Sequence, residues 1–339
     1  MVSLLESQDE PAKFTLTGES GSGKTGAKAS LICAGYKIRS IDTDKGSRLL
    51  RALLTDEEHY PYAKWIKQHG IDLNTAYDYI PIDTEMVLRQ AIQKNPRGEI
   101  VSKEEILAPK SADAWPKIVN LLENWPRYGK VTDWGPDTIL DIDTLTSVAQ
   151  ASYYYLQNLN ARLGVREDGY SHQQDVGGTQ SQLRRMLEKL SSSYVKCHVI
   201  LNCHIIWIDN SSGYNQSPDE RARQGKSIDP KGYPKAVGKA LSTDINSKFN
   251  DGFTVHQQGA GANVKRFIST VPRDNISAKN SVYLDREYPI STGLAEILAA
   301  LTYQPKPWDL IQAIRGNELR NDSRDLSPKP APGPSGVKR

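Results

Sequence analysis

A chain of 339 residues with 38% hydrophobic and 24% charged residues can bury a sizeable core and has the balance of a soluble globular protein. Its formal net charge of +3 is too small to demand a nucleic-acid partner, so any such partner must be read from local patches. No apolar run approaches a membrane span, the opening residues 1–5 are too short for a signal peptide, and three cysteines without a regular framework predict a reducing, cytoplasmic setting without structural disulfides.

Residues 1–12 read as an N-terminal extension. The first predicted element is a short buried strand over 14–17. It runs into Gly18-Glu19-Ser20-Gly21-Ser22-Gly23-Lys24-Thr25, a complete G-x-x-x-x-G-K-[ST] loop, and then into a helix over 26–32. Gly21 and Gly23 let successive backbone N–H groups turn toward a phosphate, and the start of the helix adds partial positive charge. Lys24 can reach the β- and γ-phosphates, and the Thr25 hydroxyl can ligate Mg2+. Strand, loop and helix agree, so the stretch 18–25 is expected to hold a nucleoside triphosphate with its Mg2+.

Residues 36–41 predict a second strand that ends in the acidic turn Asp42-Thr43-Asp44-Lys45-Gly46, with a helix over 48–54. The aromatic and polar stretch 55–70 reads as a surface insertion. A strand over 77–82, a helix over 84–92 and a loop-rich segment over 94–110 follow. Trp115 and Trp125 belong to a helix with apolar spacing at 118, 121, 122 and 125, which places them in the core rather than on a base-stacking platform. Next come an apolar strand ending in acid over 138–144, a helix over 146–163, a long loop over 164–180 and a helix over 182–190. The run 195–206 is the most strand-like in the chain. A second long polar loop covers 210–235, and a helix near 236–249, a strand pair around 252–257 and 265–270, and a short helix over 294–301 complete the pattern. From 304 to 339 proline, glycine and charge predict a disordered tail. Strands alternating with helices predict one α/β domain over 13–303 with a mostly parallel central sheet flanked by helices.

Phosphoryl chemistry needs more than a phosphate loop: a metal must be held, a water polarised and charge on the γ-phosphate stabilised. Asp143, at the end of its strand, is the preferred Mg2+ partner of Thr25, with Asp141 on the same strand face as the alternative. Asp44 is the candidate water-activating carboxylate, because parallel strands gather their C-terminal ends at the ligand crevice. Asp42, in the same turn, is equally suited to capping the next helix. His204 ends the strand-like run 199–204 and would meet the same crevice, where an imidazole can sense a γ-phosphate. Cys197, His198, Cys203 and His204 do not read as a zinc site, since neighbours on a strand face opposite sides.

With these residues in place, the chain resembles the RecA/RadA superfamily of P-loop ATPases, and within it the compact phage-encoded RecA-like proteins linked to single-strand annealing and recombination. The resemblance covers about residues 13–301. It rests on the loop 18–25, the turn Ile41-Asp42-Thr43-Asp44-Lys45-Gly46, the segment Ile142-Asp143-Thr144-Leu145-Thr146, the strand ending Cys203-His204 and the run Ile276-Ser277-Ala278-Lys279-Asn280. It implies a RecA-like core that binds and hydrolyses ATP with Mg2+, in the cytoplasm of an infected bacterial host and away from membranes. It further implies single-stranded DNA as ligand, a homo-oligomer with ATP at subunit interfaces, and a single-strand-binding or other recombination protein as partner. Asp44 stands where the family usually carries Glu. Lys279-Asn280 keeps the run through which one subunit reaches its neighbour's ATP, while Ser281 replaces its second basic residue and Arg266 and Arg286 are candidate substitutes. The family's mobile DNA loops correspond to 164–180 and 210–235. The second loop carries Arg221, Arg223, Lys226, Lys231 and Lys235 interleaved with Tyr214 and Tyr233, which suits a backbone-tracking site. The acids Asp209, Asp219, Glu220 and Asp229 dilute that charge, so a solvated loop is an equal reading. Two further readings of the same core remain, a DNA translocase, helicase or packaging motor, and a nucleotide-gated scaffold with negligible hydrolysis.

Overall fold

The computed structural model describes residues 10–95, 97–162, 173–208, 230–259 and 264–325. Its first strand, β1 (Lys13–Gly18), is buried over its last five residues, as a strand covered on both faces must be. Two short helical segments follow, α1 (Lys24–Ala27) and α2 (Ala29–Cys33), joined at Lys28. Then come β2 (Lys37–Asp42), α3 (Ser47–Thr55), α4 (Pro61–His69), α5 (Leu73–Ala76) and β3 (Tyr77–Pro81). Strands β4 (Met86–Lys94) and β5 (Ile100–Pro109) pair with each other in a separate antiparallel hairpin. Helix α6 (Ala114–Glu123) and a 3-10 turn (Val131–Asp133) lead to β6 (Thr138–Asp143). Helices α7 (Leu145–Leu159) and α8 (Gln173–Ser191) precede β7 (His198–Cys203), after which β8 (Ile205–Ile208) pairs antiparallel with β9 (Lys231–Pro234). The described chain ends with α9 (Lys239–Lys248), β10 (Asp251–Gln258), β11 (Lys265–Ser269), β12 (Glu287–Pro289), α10 (Gly293–Leu301) and α11 (Trp308–Asp325).

The main sheet has eight strands in the order β12-β11-β10-β1-β7-β6-β2-β3. Neighbours from β10 to β3 run parallel, and β11 and β12 turn back antiparallel at one edge. Alternate residues of the central strands feed two separate cores. Leu140, Ile142, Val199 and Leu201 pack on one face with α6, α7, α8 and α9. Phe14, Leu16, Ile139 and Ile200 pack on the other with α2, α3, α4 and α10. This is the mostly parallel α/β sheet flanked by helices that the alternation of elements predicts.

Register decides what meets at the sheet's C-terminal edge. Gly18 pairs with Val255, Thr17 with Cys203, Asp143 with Asn202 and Asp42 with Asp143, so β1, β7, β6 and β2 end at one level. Ligands of open parallel sheets gather at that edge.

Five expectations need correction. The segment 84–92 is not a helix but strand β4, and much of the segment read as loop-rich is its partner β5. The stretch 55–70 is no mere surface insertion, since α4 buries Tyr62, Ala63 and Ile66. Residues 173–180 of the first expected loop belong to α8, while its remaining residues 164–172 lie outside the described residues. Part of the segment read as tail is helix α11, anchored by the buried Leu310 and Ile311, and the proline-rich run 328–334 lies outside the described residues. Among the described residues no helix is long and apolar enough to cross a membrane.

Candidate functional site

The loop between β1 and α1 turns through two glycines in left-handed backbone, Gly21 at φ 76° and Gly23 at φ 104°, a conformation that any side chain would strain. Glu19 and Ser20 are exposed, whereas Ser22 and Lys24 are buried. The Lys24 ammonium donates to the carbonyls of Gly18 and Glu19, each at 2.8 Å, and so is held inside the loop's curl. Burial pulls Lys24 below the ordinary lysine value, with the nearby Asp143 opposing that pull.

Thr25, the last loop residue, donates its hydroxyl to Asp143 Oδ2 at 2.7 Å. The same carboxylate oxygen takes a hydrogen bond from Lys28 Nζ at 3.0 Å, and Lys28 also meets Asp141 Oδ2 at 2.6 Å. Asp141 is fully engaged elsewhere as well. Its Oδ2 accepts from Ser40 Oγ at 2.5 Å and its Oδ1 accepts from Asn202 Nδ2 at 2.7 Å. Of the two carboxylates it is Asp143 that touches the loop, while Asp141 sits below it with no exposed surface. Among the described residues no group of three or more His, Cys, Asp or Glu side chains is placed to hold a metal ion. A hydroxyl and one carboxylate, Thr25 and Asp143, form the hard-oxygen pair that suits Mg2+ when phosphates supply further ligands. Space is kept for them by Gly46, where an added Cβ would lie 2.8 Å from Thr25 Oγ1 and 3.2 Å from Asp143 Oδ2.

The acidic turn after β2 divides its labour. Asp42 accepts the backbone N–H groups of Gly46 and Ser47, both at 3.1 Å, and so acts as the cap of α3. Thr43 locks the turn to β6 by donating its N–H to the Asp143 carbonyl at 2.7 Å. Asp44 faces the open side. Its Oδ2 lies 3.1 Å from His204 Nε2, and its Oδ1 accepts from Ser147 Oγ at 2.8 Å. The His204 contact holds the Asp44 carboxyl below the ordinary aspartate value, burial opposes this, and Ser147 and Lys24 add to the lowering. His204 is also wired to the next element, since its carbonyl accepts from Lys235 N at 2.7 Å. Thr146 Oγ1 bonds both the His204 N–H and the Lys235 carbonyl.

Two side chains from the far edge reach the loop. Gln257 and Arg266 are opposite one another on β10 and β11. Gln257 Nε2 donates to the Gly21 carbonyl at 2.9 Å, and the Arg266 stem lies over Gly23, its Cδ 2.9 Å from where a Cβ would stand. Arg266 is exposed, and its Nε lies 3.7 Å from the same point above Gly23. Gln257 and Ser147 reach the site only through strand order and helix placement, whereas Lys28 simply follows Lys24 by one helical turn.

Lys24, Thr25, Asp143, Asp44 and His204 thus converge at one sheet edge, and Lys279 does not join them. Lys279 pairs with Gly252 at the start of β10 and donates to the Phe249 carbonyl at 3.1 Å. Gly252 is level with Thr15, below Gly18, so the Lys279 side chain belongs to the opposite end of the sheet within its own chain. Asn280 donates to the Thr270 carbonyl, and Ser281 is tied to Asp251 through its backbone N–H at 2.6 Å and its hydroxyl at 3.0 Å. Of the basic residues in the second polar loop, Arg221, Arg223 and Lys226 lie outside the described residues, as does Tyr214. Lys235 is exposed at the His204 end of the β8–β9 ladder and Lys231 at its far end, opposite Ile208, with Lys231 Nζ 5.7 Å from the Tyr233 ring.

No family model matches the chain, and no curated protein matches it. Its fold is similar to that of several solved structures. The flagellar accessory protein FlaH from Methanocaldococcus jannaschii matches at 10% identity over 85% of this chain and 92% of its own, with a TM-score of 0.36. A KaiC-like protein from the hyperthermophilic archaeon Pyrococcus horikoshii OT3 matches at 13% identity over 83% of this chain and 85% of its own, with a TM-score of 0.37. The RadB recombinase matches at 10% identity over 76% of this chain and 79% of its own, with a TM-score of 0.34. At these identities and scores the functional reading rests on the site's own geometry.

Proposed function

We propose that the chain is a RecA-like, Mg2+-dependent ATP-binding protein that acts on single-stranded DNA in recombination or strand annealing. The observation that carries the nucleotide reading is the Thr25–Asp143 hydrogen bond of 2.7 Å beside a loop whose two left-handed glycines and inward-held Lys24 form a phosphate-sized curl. The backbone N–H groups of the loop and Lys24 bind the phosphate chain, while Thr25 and Asp143 hold the metal. Mg2+, when bound there, neutralises charge developing on the phosphates. Asp44 orients the attacking water, and His204 holds Asp44 in place through the contact at 3.1 Å.

The DNA part of this reading comes from the resemblance and from where the second loop is rooted. The ladder of β8 and β9 begins directly at His204 and Lys235, so a movement of His204 is passed to both ends of the segment carrying Arg221, Arg223, Lys226 and Lys231. Tyr233 lies on that ladder beside Lys231, as a stacking group next to charge, and Trp207 is on its opposite face. Subunits assembled around the nucleotide, with Lys279 at the opposite sheet end facing a neighbour, complete the proposal.

Turnover is expected to be slow. A base works best with a pKa near the operating pH, and Asp44 is held in the other direction. This favours a nucleotide-gated binding protein as the second reading over a fast motor. Both readings are tested by titrating single-stranded DNA into the protein with ATP or a slowly hydrolysed analogue, following hydrolysis and assembly together. Tighter DNA binding and larger assemblies with nucleotide are expected. A monomer indifferent to DNA and nucleotide at low salt refutes the proposal, and unchanged ATP affinity in Lys24→Ala refutes the loop assignment.

A further inference from the structure

Lys28 lies one helical turn beyond Lys24, at the junction of α1 and α2, and its side chain is 1% exposed. A lysine that deep needs a reason, because burying an ammonium is costly unless it is paired. Its partners are the Asp141 and Asp143 carboxylates at 2.6 and 3.0 Å, themselves 0% and 3% exposed. Both contacts are charge-assisted hydrogen bonds, so the buried ammonium is paired twice over. The remaining Asp141 bonds, from Ser40 and Asn202, fix that carboxylate so that it cannot swing toward the loop.

Two carboxylates facing each other in a dry, oxygen-rich pocket are what a divalent cation would otherwise bridge. Here one ammonium does so, donating to Oδ2 of both. With Lys28 in place the cluster keeps a single net negative charge, and the oxygen of Asp143 that faces Thr25 is already shared. A lone metal ion therefore gains little, whereas one arriving with phosphate ligands needs only Thr25 and Asp143.

We propose that Lys28 is a built-in counter-ion standing where a divalent cation would bridge Asp141 and Asp143, so that the site takes up metal together with the nucleotide's phosphates and not alone. This rests on the nucleotide reading above, but its test contains no nucleotide, so the two fail separately. The wild-type protein should show no bound Mn2+ by electron paramagnetic resonance at millimolar metal. Lys28→Met should melt roughly 10 °C lower in chelator, through the loss of a buried charge partner, and should recover at least half of that loss in millimolar Mg2+ or Mn2+. If Lys28→Met does not fold in chelator, refolding in Mn2+ is scored in the same way. Adding Asp141→Asn to Lys28→Met should restore the melting temperature without metal and abolish the metal response. Metal-insensitive melting or refolding of Lys28→Met, or sub-millimolar Mn2+ binding by the wild type, overturns the proposal. A structural ion pair alone would lose stability on substitution but would not be rescued by a cation.

Discussion

The His204 imidazole and the Asp44 carboxylate meet at 3.1 Å, joining the end of β7 to the turn after β2 across the front of the phosphate loop. Because His204 lowers the Asp44 pKa, the contact stabilises the fold only while Asp44 is ionised. That contribution is fully present above the ordinary aspartate value and is lost as pH falls through the lower folded value. His204→Ala should therefore reduce the unfolding free energy at pH 7, modestly because both groups are partly exposed, by about 0.5–1 kcal/mol. The gap to wild type should narrow once pH falls below the ordinary aspartate value of about 3.9. A gap that persists undiminished in strong acid would assign the loss to packing and not to the contact with the ionised carboxylate.

Gly46 carries the second prediction. Its backbone, at φ −73° and ψ −17°, accepts any residue, so only space forbids a side chain. Gly46→Ala places a methyl 2.8 Å from both Oγ1 and Cγ2 of Thr25, an overpacking that costs about 1–3 kcal/mol. It should also weaken Mg·ATP binding about tenfold by pushing the Thr25 hydroxyl off Asp143. Thr25→Ser keeps the hydroxyl and removes Cγ2, so the double variant should regain part of the loss. Strict additivity in calorimetric titrations with Mg·ATP would mean the two residues do not compete for space.

Much of this arrangement is legible in the sequence, and the exceptions have physical causes. β1, β2, β6 and β7 are short strands buried on both faces with apolar or β-branched residues along them, so their signal survives without knowledge of their neighbours. The hairpin of β4 and β5 is different. Leu88 and Leu107 face each other across it and both remain exposed, so neither strand carries a clean inside–outside alternation, and β4 passes for a helix. The turn signal was nevertheless present in Asn95-Pro96-Arg97-Gly98, where Gly98 takes φ 83° and returns its N–H to the Asn95 carbonyl. Asp143 was readable because it closes β6, and Asp44 and His204 because each follows closely on the end of a strand, β2 and β7. Gln257, Arg266 and Ser147 contribute through strand order and helix placement, which no local pattern encodes. Lys28 left one unused clue, a lysine amid the apolar residues of a helix leaving the loop.

His198 supplies a stability prediction remote from the loop. It is buried at the start of β7, where its Nδ1 accepts the Ala12 N–H at 2.9 Å, and burial pushes it down to about 4. The unfolded chain takes up this proton near pH 6.5, while the folded chain resists until about pH 4. Stability is thus greatest above pH 6.5 and declines on acidification, by about 3 kcal/mol across that window for this group alone. His198→Asn should be less stable at pH 7 and show a shallower decline in urea unfolding between pH 6.5 and 4.5. Equal slopes for variant and wild type would mean the imidazole is protonated in the folded protein.

Arg266 lies over Gly23 with its stem packed on the loop and its Nε 3.7 Å from where a Cβ would stand, while the opposing Gln257 ties down Gly21. Lys24 is already committed to two loop carbonyls, so a second cation beside the phosphates has charge left to give. One charge-assisted hydrogen bond contributes about 1.5–3 kcal/mol, and Arg266→Ala should accordingly weaken ATP binding at least tenfold. The side chain is exposed, so the melting temperature without nucleotide should stay within about 2 °C of wild type. Arg266→Lys should recover less than half of the affinity if the planar fork is used, because a compact ammonium cannot make paired contacts from that stem. Equal affinities in all three proteins would place Arg266 outside the nucleotide site and leave its contact with Gly23 as packing.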